Sequence, residues 1–87
     1  MREAGVEETD PNETLLDLRG LKCPLPALHT RRALASLPDC GLLRVLATDP
    51  MSVIDIPHAV SQAGGRVVSQ ETINGAHRFL IKQRRDP

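Results

Sequence analysis

An α+β fold is predicted for this chain: a two-layer α/β sandwich of order β-α-β-α-β-β, with a mixed four-stranded sheet and two helices on one face. Three observations carry that expectation. Two apolar runs, Leu15 to Leu18 and Leu42 to Ala47, each lead into a junction ending in proline, Lys22-Cys23-Pro24 and Thr48-Asp49-Pro50. Each junction is followed by apolar residues at helical spacing. The chain then ends on two strand-like runs around Asn74-Gly75, a strong signal for a two-residue hairpin turn. Four strands and two helices within 87 residues leave room for one core and two layers.

Residues 1–13 read as a disordered acidic tail, and 14–87 as the folded domain. Glu3, Glu7, Glu8, Asp10 and Glu13 supply five of the eleven carboxylates, so the formal charge of zero conceals a segregation. From Thr14 to Arg85, ten Lys or Arg face five carboxylates, a net charge near +5. Such a surplus favours acidic partners, and it is equally what an ordinary solvated surface carries.

Leu15, Leu16 and Leu18 form the first predicted strand. A helix follows from about Pro24 to Leu37, with Ala27, Thr30, Ala33, Leu34 and Leu37 along one stripe. Pro26 is tolerated because it lies in the first turn, and Pro38 ends the helix. The nearly continuous run Leu42, Leu43, Val45, Leu46, Ala47 predicts a strand buried on both faces. Asp49 then reads as an N-cap with Pro50 at the first helical position. Val53, Ile54, Ile56, Val60 and Ala63 support the second helix, which Pro57 should kink or divide before Gly64-Gly65 ends it. Hairpin strands over 66–73 and 76–83 set Val68 opposite Ile81, Gln70 opposite Phe79 and Glu71 opposite Arg78. A right-handed crossover makes the first two strands parallel, which brings both helix N-termini, at Cys23 and at Asp49, to one edge of the sheet. Ligand sites in open α/β sheets favour that edge.

Cys23 is the candidate for chemistry. Pro24 suits the first helical position, which puts Cys23 at or beside the N-cap and facing the unsatisfied N–H groups of the first turn. Ser, Asp, Asn or Thr would cap better by roughly 1 kcal/mol, so a thiol is a poor choice on stability alone. The helix dipole favours negative charge there, and Arg19 and Lys22 push the same way, so the expected thiol is acidic and nucleophilic. The plain alternative is a small buried hydrophobe ending a loop. Asp17 and Gly20 shape the loop before the cysteine.

The rest of the chain narrows the chemistry. Cys23 and Cys40 make neither a C-x-x-C pair nor a zinc pattern, and no histidine set has metal-ligand spacing. Cys40 belongs about 20 Å away at the far end of the first helix, too distant to pair with Cys23. His29 falls on another helical face from Cys23, and His58 and His77 read as surface or boundary residues. Aromatic content of 1% removes the stacking platform that single-stranded nucleic-acid binding needs. No run is long and apolar enough to span a membrane, residues 1–13 carry no signal-peptide pattern, and a cytoplasmic location is the default expectation.

Asp17-x-x-Gly20-x-x-Cys23-Pro24-x-Pro26, with Thr48-Asp49-Pro50 and Asp55-Ile56-Pro57, resembles the sulfur carriers of the TusA (SirA-like) family over about Leu15 to Gln83. The resemblance implies the two-layer fold read above and a persulfide on Cys23; Arg19, Gly20, Lys22, Pro24 and Pro26 are read as the residues that support its thiolate or shape its loop. It implies no cofactor. Partners would be a cysteine desulfurase or rhodanese-type sulfur donor and a downstream sulfur-acceptor protein, in tRNA thiolation, molybdenum-cofactor supply or sulfur oxidation. Arg31 and Asp49 match family positions used in partner docking. Leu25 departs from the family's frequent Glu between the two prolines and bears on which partner is met. Two rival readings are a non-catalytic regulatory or protein-binding module in which Cys23 is structural, and direct RNA binding, favoured by charge and opposed by the lack of aromatics.

Overall fold

The structure, a computed structural model, describes residues 13–37 and 41–83. Six elements run in the predicted order: β1 (Glu13–Leu18), α1 (Leu25–Ser36), β2 (Leu42–Ala47), α2 (Ser52–Gln62), β3 (Arg66–Ile73) and β4 (Ala76–Lys82). They form one sheet of order β1-β2-β4-β3. β1 and β2 pair in parallel across the α1 crossover, and β4 pairs antiparallel with both β2 and β3. The fold is the expected mixed α+β sandwich.

The core lies between sheet and helices. Leu43, Val45 and Ala47 of β2 and Phe79 and Ile81 of β4 meet Leu34 of α1 and Ile56 and Val60 of α2, all buried. β2 corrects one expectation: its burial alternates, with Leu43, Val45 and Ala47 inside and Leu42, Arg44 and Leu46 only half-buried. With helices on a single face, a strand has only one face to bury, whatever its composition. Glu13, assigned to the tail from sequence, is the first residue of β1 and accepts a hydrogen bond from Arg44 Nη2 at 3.2 Å on the other face.

Thr30 and Leu34 are buried along the predicted stripe of α1, with Leu37 just past its end and Ala27 and Ala33 half-buried. The Thr30 hydroxyl donates to the Pro26 carbonyl at 2.8 Å, so the polar member of the stripe is satisfied within the helix. At the other end of the helix, buried Gln83 donates its side-chain amide to the Leu34 carbonyl, which also accepts from the Leu37 N–H at 3.2 Å. α2 runs on through Pro57 and is not divided there. Ile54 is 61% exposed and does not join Ile56 and Val60 in the core.

Asn74 (φ 52°) and Gly75 (φ 80°) both adopt positive φ, as a type I′ hairpin turn requires. Gln70 faces Phe79 and Glu71 faces Arg78 as expected, the latter pair 3.6 Å apart. Val68 does not face Ile81. A β-bulge between Val67 and Ser69 gives that place to Val67 and leaves Val68 exposed. The insertion lets the apolar Val67 face the core and disrupts the ladder of an edge strand.

Candidate functional site

The loop from β1 to α1 and the loop from β2 to α2 leave the same edge of the sheet, because their strands are parallel neighbours. Three hydrogen bonds tie the loops together. Gly20 N–H donates to Thr48 Oγ1 at 2.9 Å, Cys23 N–H to Asp49 Oδ2 at 2.7 Å, and Cys23 Sγ–H to Asp55 Oδ2 at 3.1 Å. The convergence expected from topology is therefore a set of direct contacts. Cys23 itself is exposed.

Local geometry departs from the sequence reading by a residue or two. α1 begins at Leu25, Pro24 occupies the cap position, and Pro26 is the proline of the first turn. Cys23, joined to Pro24 by a cis peptide, thus precedes the cap, and its thiol points to Asp55 instead of the first-turn N–H groups. Likewise α2 begins at Ser52, and Asp49 does not cap it with its side chain. The Asp49 backbone carbonyl closes a turn by accepting from Ser52 N–H at 2.9 Å, while its carboxylate reaches across to the Cys23 amide. A charge-assisted bond to that amide stands in place of the local cap.

The electrostatics reverse the expected acidity of the thiol. The hydrogen bond to Asp55, a slight loss of hydration and the charges of Asp55 and Asp49 push the Cys23 thiol above the ordinary range. Each of these favours the neutral S–H beside carboxylates. Arg19 does not offset them, because it is held by Asp17, with Nε donating to Oδ1 at 2.9 Å and Nη2 to Oδ2 at 2.7 Å. That pair holds the Asp17 carboxyl down at about 2, chiefly through the Arg19 side-chain hydrogen bonds. Lys22 is exposed and has no bond to the sulfur.

Gly20 has φ 88° and open space where a Cβ would stand. A side chain there meets no neighbour, so the cost of one is conformational. Gly20→Ala is expected to lower stability by about 1–2 kcal/mol, the usual penalty for a left-handed non-glycine residue, read as a lower thermal midpoint. A midpoint equal to that of the parent chain would show that the loop relaxes freely.

Arg31 is exposed on α1, and Asp49 is half-buried and engaged with the cysteine loop. Leu25 and Leu28 on the first turns of α1, and Met51 and Ile54 at the start of α2, are exposed apolar side chains. Among the described residues the thiol's hydrogen-bond partner is the Asp55 carboxylate, and His77 bonds to Thr72. Among the described residues no group of three His, Cys, Asp or Glu is placed to hold a metal ion, and no helix is long and apolar enough to cross a membrane. Cys40 lies outside the described residues. Thr48 and Asp55 are the site residues to which sequence reasoning gave no role. A signal for both exists: with two helix N-termini at one edge, polar side chains at the end of β2 and in the first turn of α2 must adjoin the cysteine loop.

Comparison with known proteins bears on the fold and the family. Residues 14–83 match the family model for sulfurtransferase TusA. Sulfur carrier protein TusA of Allochromatium vinosum is 38% identical over 68 residues, covering 78% of this chain and 90% of that protein. Sulfur carrier protein TusA of Pseudomonas paraeruginosa is 35% identical over 78 residues, covering 90% and 99%. The crystal structure of a SirA-like protein from Desulfitobacterium hafniense superposes with a TM-score of 0.71 at 23% identity, over 82% of this chain and 97% of that one, and supports the fold. The chain belongs to the TusA family.

Proposed function

We propose that this protein is a sulfur carrier that accepts a sulfane sulfur as a persulfide on Cys23 and passes it to a partner protein. The observation that carries the reading is an exposed thiol held at the sheet edge where both helices begin. The other cysteine, Cys40, stands seventeen residues further along the chain and is not adjacent to Cys23 in sequence, so no C-x-x-C pair is present to collapse a persulfide into a disulfide. Family membership names the cargo, sulfur. The protein acts as a sulfurtransferase in relay, one sulfur per visit, without a cofactor, and works in the cytoplasm. Its donor is a cysteine desulfurase or a rhodanese-type protein, and its acceptor serves tRNA thiolation, molybdenum-cofactor supply or sulfur oxidation.

Arg31 and the exposed apolar side chains Leu25, Leu28, Met51 and Ile54 supply the docking surface around the thiol. Leu25 makes that surface apolar where the family often carries a carboxylate. Asp49 serves docking indirectly, by fixing the cysteine loop through the Cys23 amide.

Incubation with a cysteine desulfurase and cysteine is expected to add one sulfur to the intact mass, removable by reductant. Prior alkylation of Cys23 is expected to block the gain. Equal sulfur uptake by the alkylated chain would refute the assignment.

A further inference from the structure

Asp55 lies on the first turn of α2, half-buried, with its carboxylate 3.1 Å from Cys23 Sγ. Among the described residues Cys23 is its only side-chain hydrogen-bond partner. An ionised carboxylate only accepts hydrogen bonds, so at this distance it holds the sulfur while the sulfur carries hydrogen and repels it as an anion. We propose, on the sulfur-carrier reading above, that Asp55 is a second catalytic residue. It keeps a proton on whichever sulfur ends the Cys23 side chain: Sγ in the empty carrier, the outer sulfur in the loaded one.

The outer sulfur of a persulfide stands one S–S bond, about 2.05 Å, beyond Sγ, within reach of the same carboxylate. Its protonation state decides what the persulfide does. As S–SH the outer sulfur is an electrophile open to a thiolate. As S–S⁻ it is itself a nucleophile and repels the thiolate that should collect it. Asp55 and Asp49 are the charges that raise the Cys23 thiol, and one S–S bond further out the same two carboxylates disfavour an anion. Arg19 is occupied by Asp17, and neither Lys22, Arg31 nor His58 is bonded to the thiol. Discharge then balances without an external oxidant or reductant. The acceptor thiolate forms an S–S bond to the outer sulfur, and the bond to Cys23 breaks with its electron pair left on Sγ. The outer sulfur departs with its proton as the acceptor's S–SH. Sγ takes a proton from solvent and renews its bond to Asp55.

The test loads the full chain with glutathione persulfide, which gives Cys23–S–SH and glutathione, and then measures thiocyanate released by cyanide across pH. Near neutral pH, Asp55→Asn is expected to release sulfur about tenfold more slowly, because without the carboxylate the outer sulfur ionises more readily. The gap should close as pH falls and the outer sulfur becomes neutral in both proteins. Asp55→Glu should restore most of the rate. The empty Asn variant should in contrast react faster with iodoacetamide, its midpoint moved to lower pH. Release as fast as in the parent chain at every pH, or slower by one factor at every pH, overturns the role of Asp55 alone. A parent chain that takes up no sulfur overturns the carrier reading with it. If Asp55→Asn loses its circular dichroism, Asp55→Ser carries the same comparison.

Discussion

Cys23→Ser is expected to leave the fold intact and to abolish sulfur uptake. The side chain is exposed, so no core contact is lost. The backbone N–H keeps its bond to Asp49, and a hydroxyl can donate to Asp55 in place of the thiol. A surface change that keeps its partners belongs within about 0.5 kcal/mol of the parent chain. The chemistry cannot survive it, because a serine oxygen neither attacks a sulfane sulfur at useful rates nor holds one. Intact mass after incubation with a persulfide donor, beside a thermal melt, reads both effects at once. The rival in which Cys23 is structural makes the opposite forecast: a lower melting temperature for the serine variant and no sulfur uptake by the parent chain. Full uptake by Cys23→Ser would move the cargo to another residue and sink the assignment.

That experiment rests on a site whose position was legible in the sequence and whose electrostatics were not. Convergence of Cys23 with Asp49 followed from parallel strands and two helix starts, both local patterns, and the contact is present at 2.7 Å. The partner of Asp49 was hidden by a competing rule. A carboxylate before proline at a helix start is read as a cap, worth about 0.5–2 kcal/mol. A hydrogen bond between a charged group and an amide lies in the same range, about 1.5–3 kcal/mol, and here joins residues 26 apart. The acidity of Cys23 departs from expectation for a related reason. Arg19 and Lys22 are its neighbours along the chain, whereas Asp55 and Asp49 are its neighbours in space. The Asp17–Arg19 pair, two residues apart, was open to sequence reasoning and would have removed Arg19 from the site.

The sheet was read more securely, because a turn such as Asn74-Gly75 fixes both conformation and register over a short span. Its error lies where register depends on an edge: the bulge at Val67/Ser69 has no strong local signal, since Val67 and Val68 suit a strand equally. β2 misled through composition. Leu42 and Leu46 are apolar on the face away from the helices, where among the described residues no second layer covers them.

Phe79→Ala is expected to be the most damaging single truncation, at about 3–5 kcal/mol. Phe79 is the chain's only aromatic residue and its largest fully buried side chain. It stands on β4 opposite Val45 of β2 and belongs to the cluster that includes Leu34 of α1 and Ile56 of α2. A core of Leu, Val, Ile and Ala has no other ring to close the gap. A domain of this length has a total stability of roughly 4–13 kcal/mol at about 0.05–0.15 kcal/mol per residue. The substitution therefore removes a large share of it, and at about 4–8 °C per kcal/mol the melting temperature should fall by more than 10 °C. Ile73→Ala, at a residue 45% exposed, should stay within about 0.5 kcal/mol and serves as the control. The site is affected through the same strand: Val45 pairs with Phe79, and β2 ends in the loop that presents Thr48 and Asp49 to the cysteine. Sulfur uptake by Phe79→Ala should accordingly track its folded fraction as temperature rises. A melt within a few degrees of the parent chain would show that the core closes around the missing ring. Uptake lost while the variant is still folded would instead show that Phe79 sets the geometry of the cysteine loop directly.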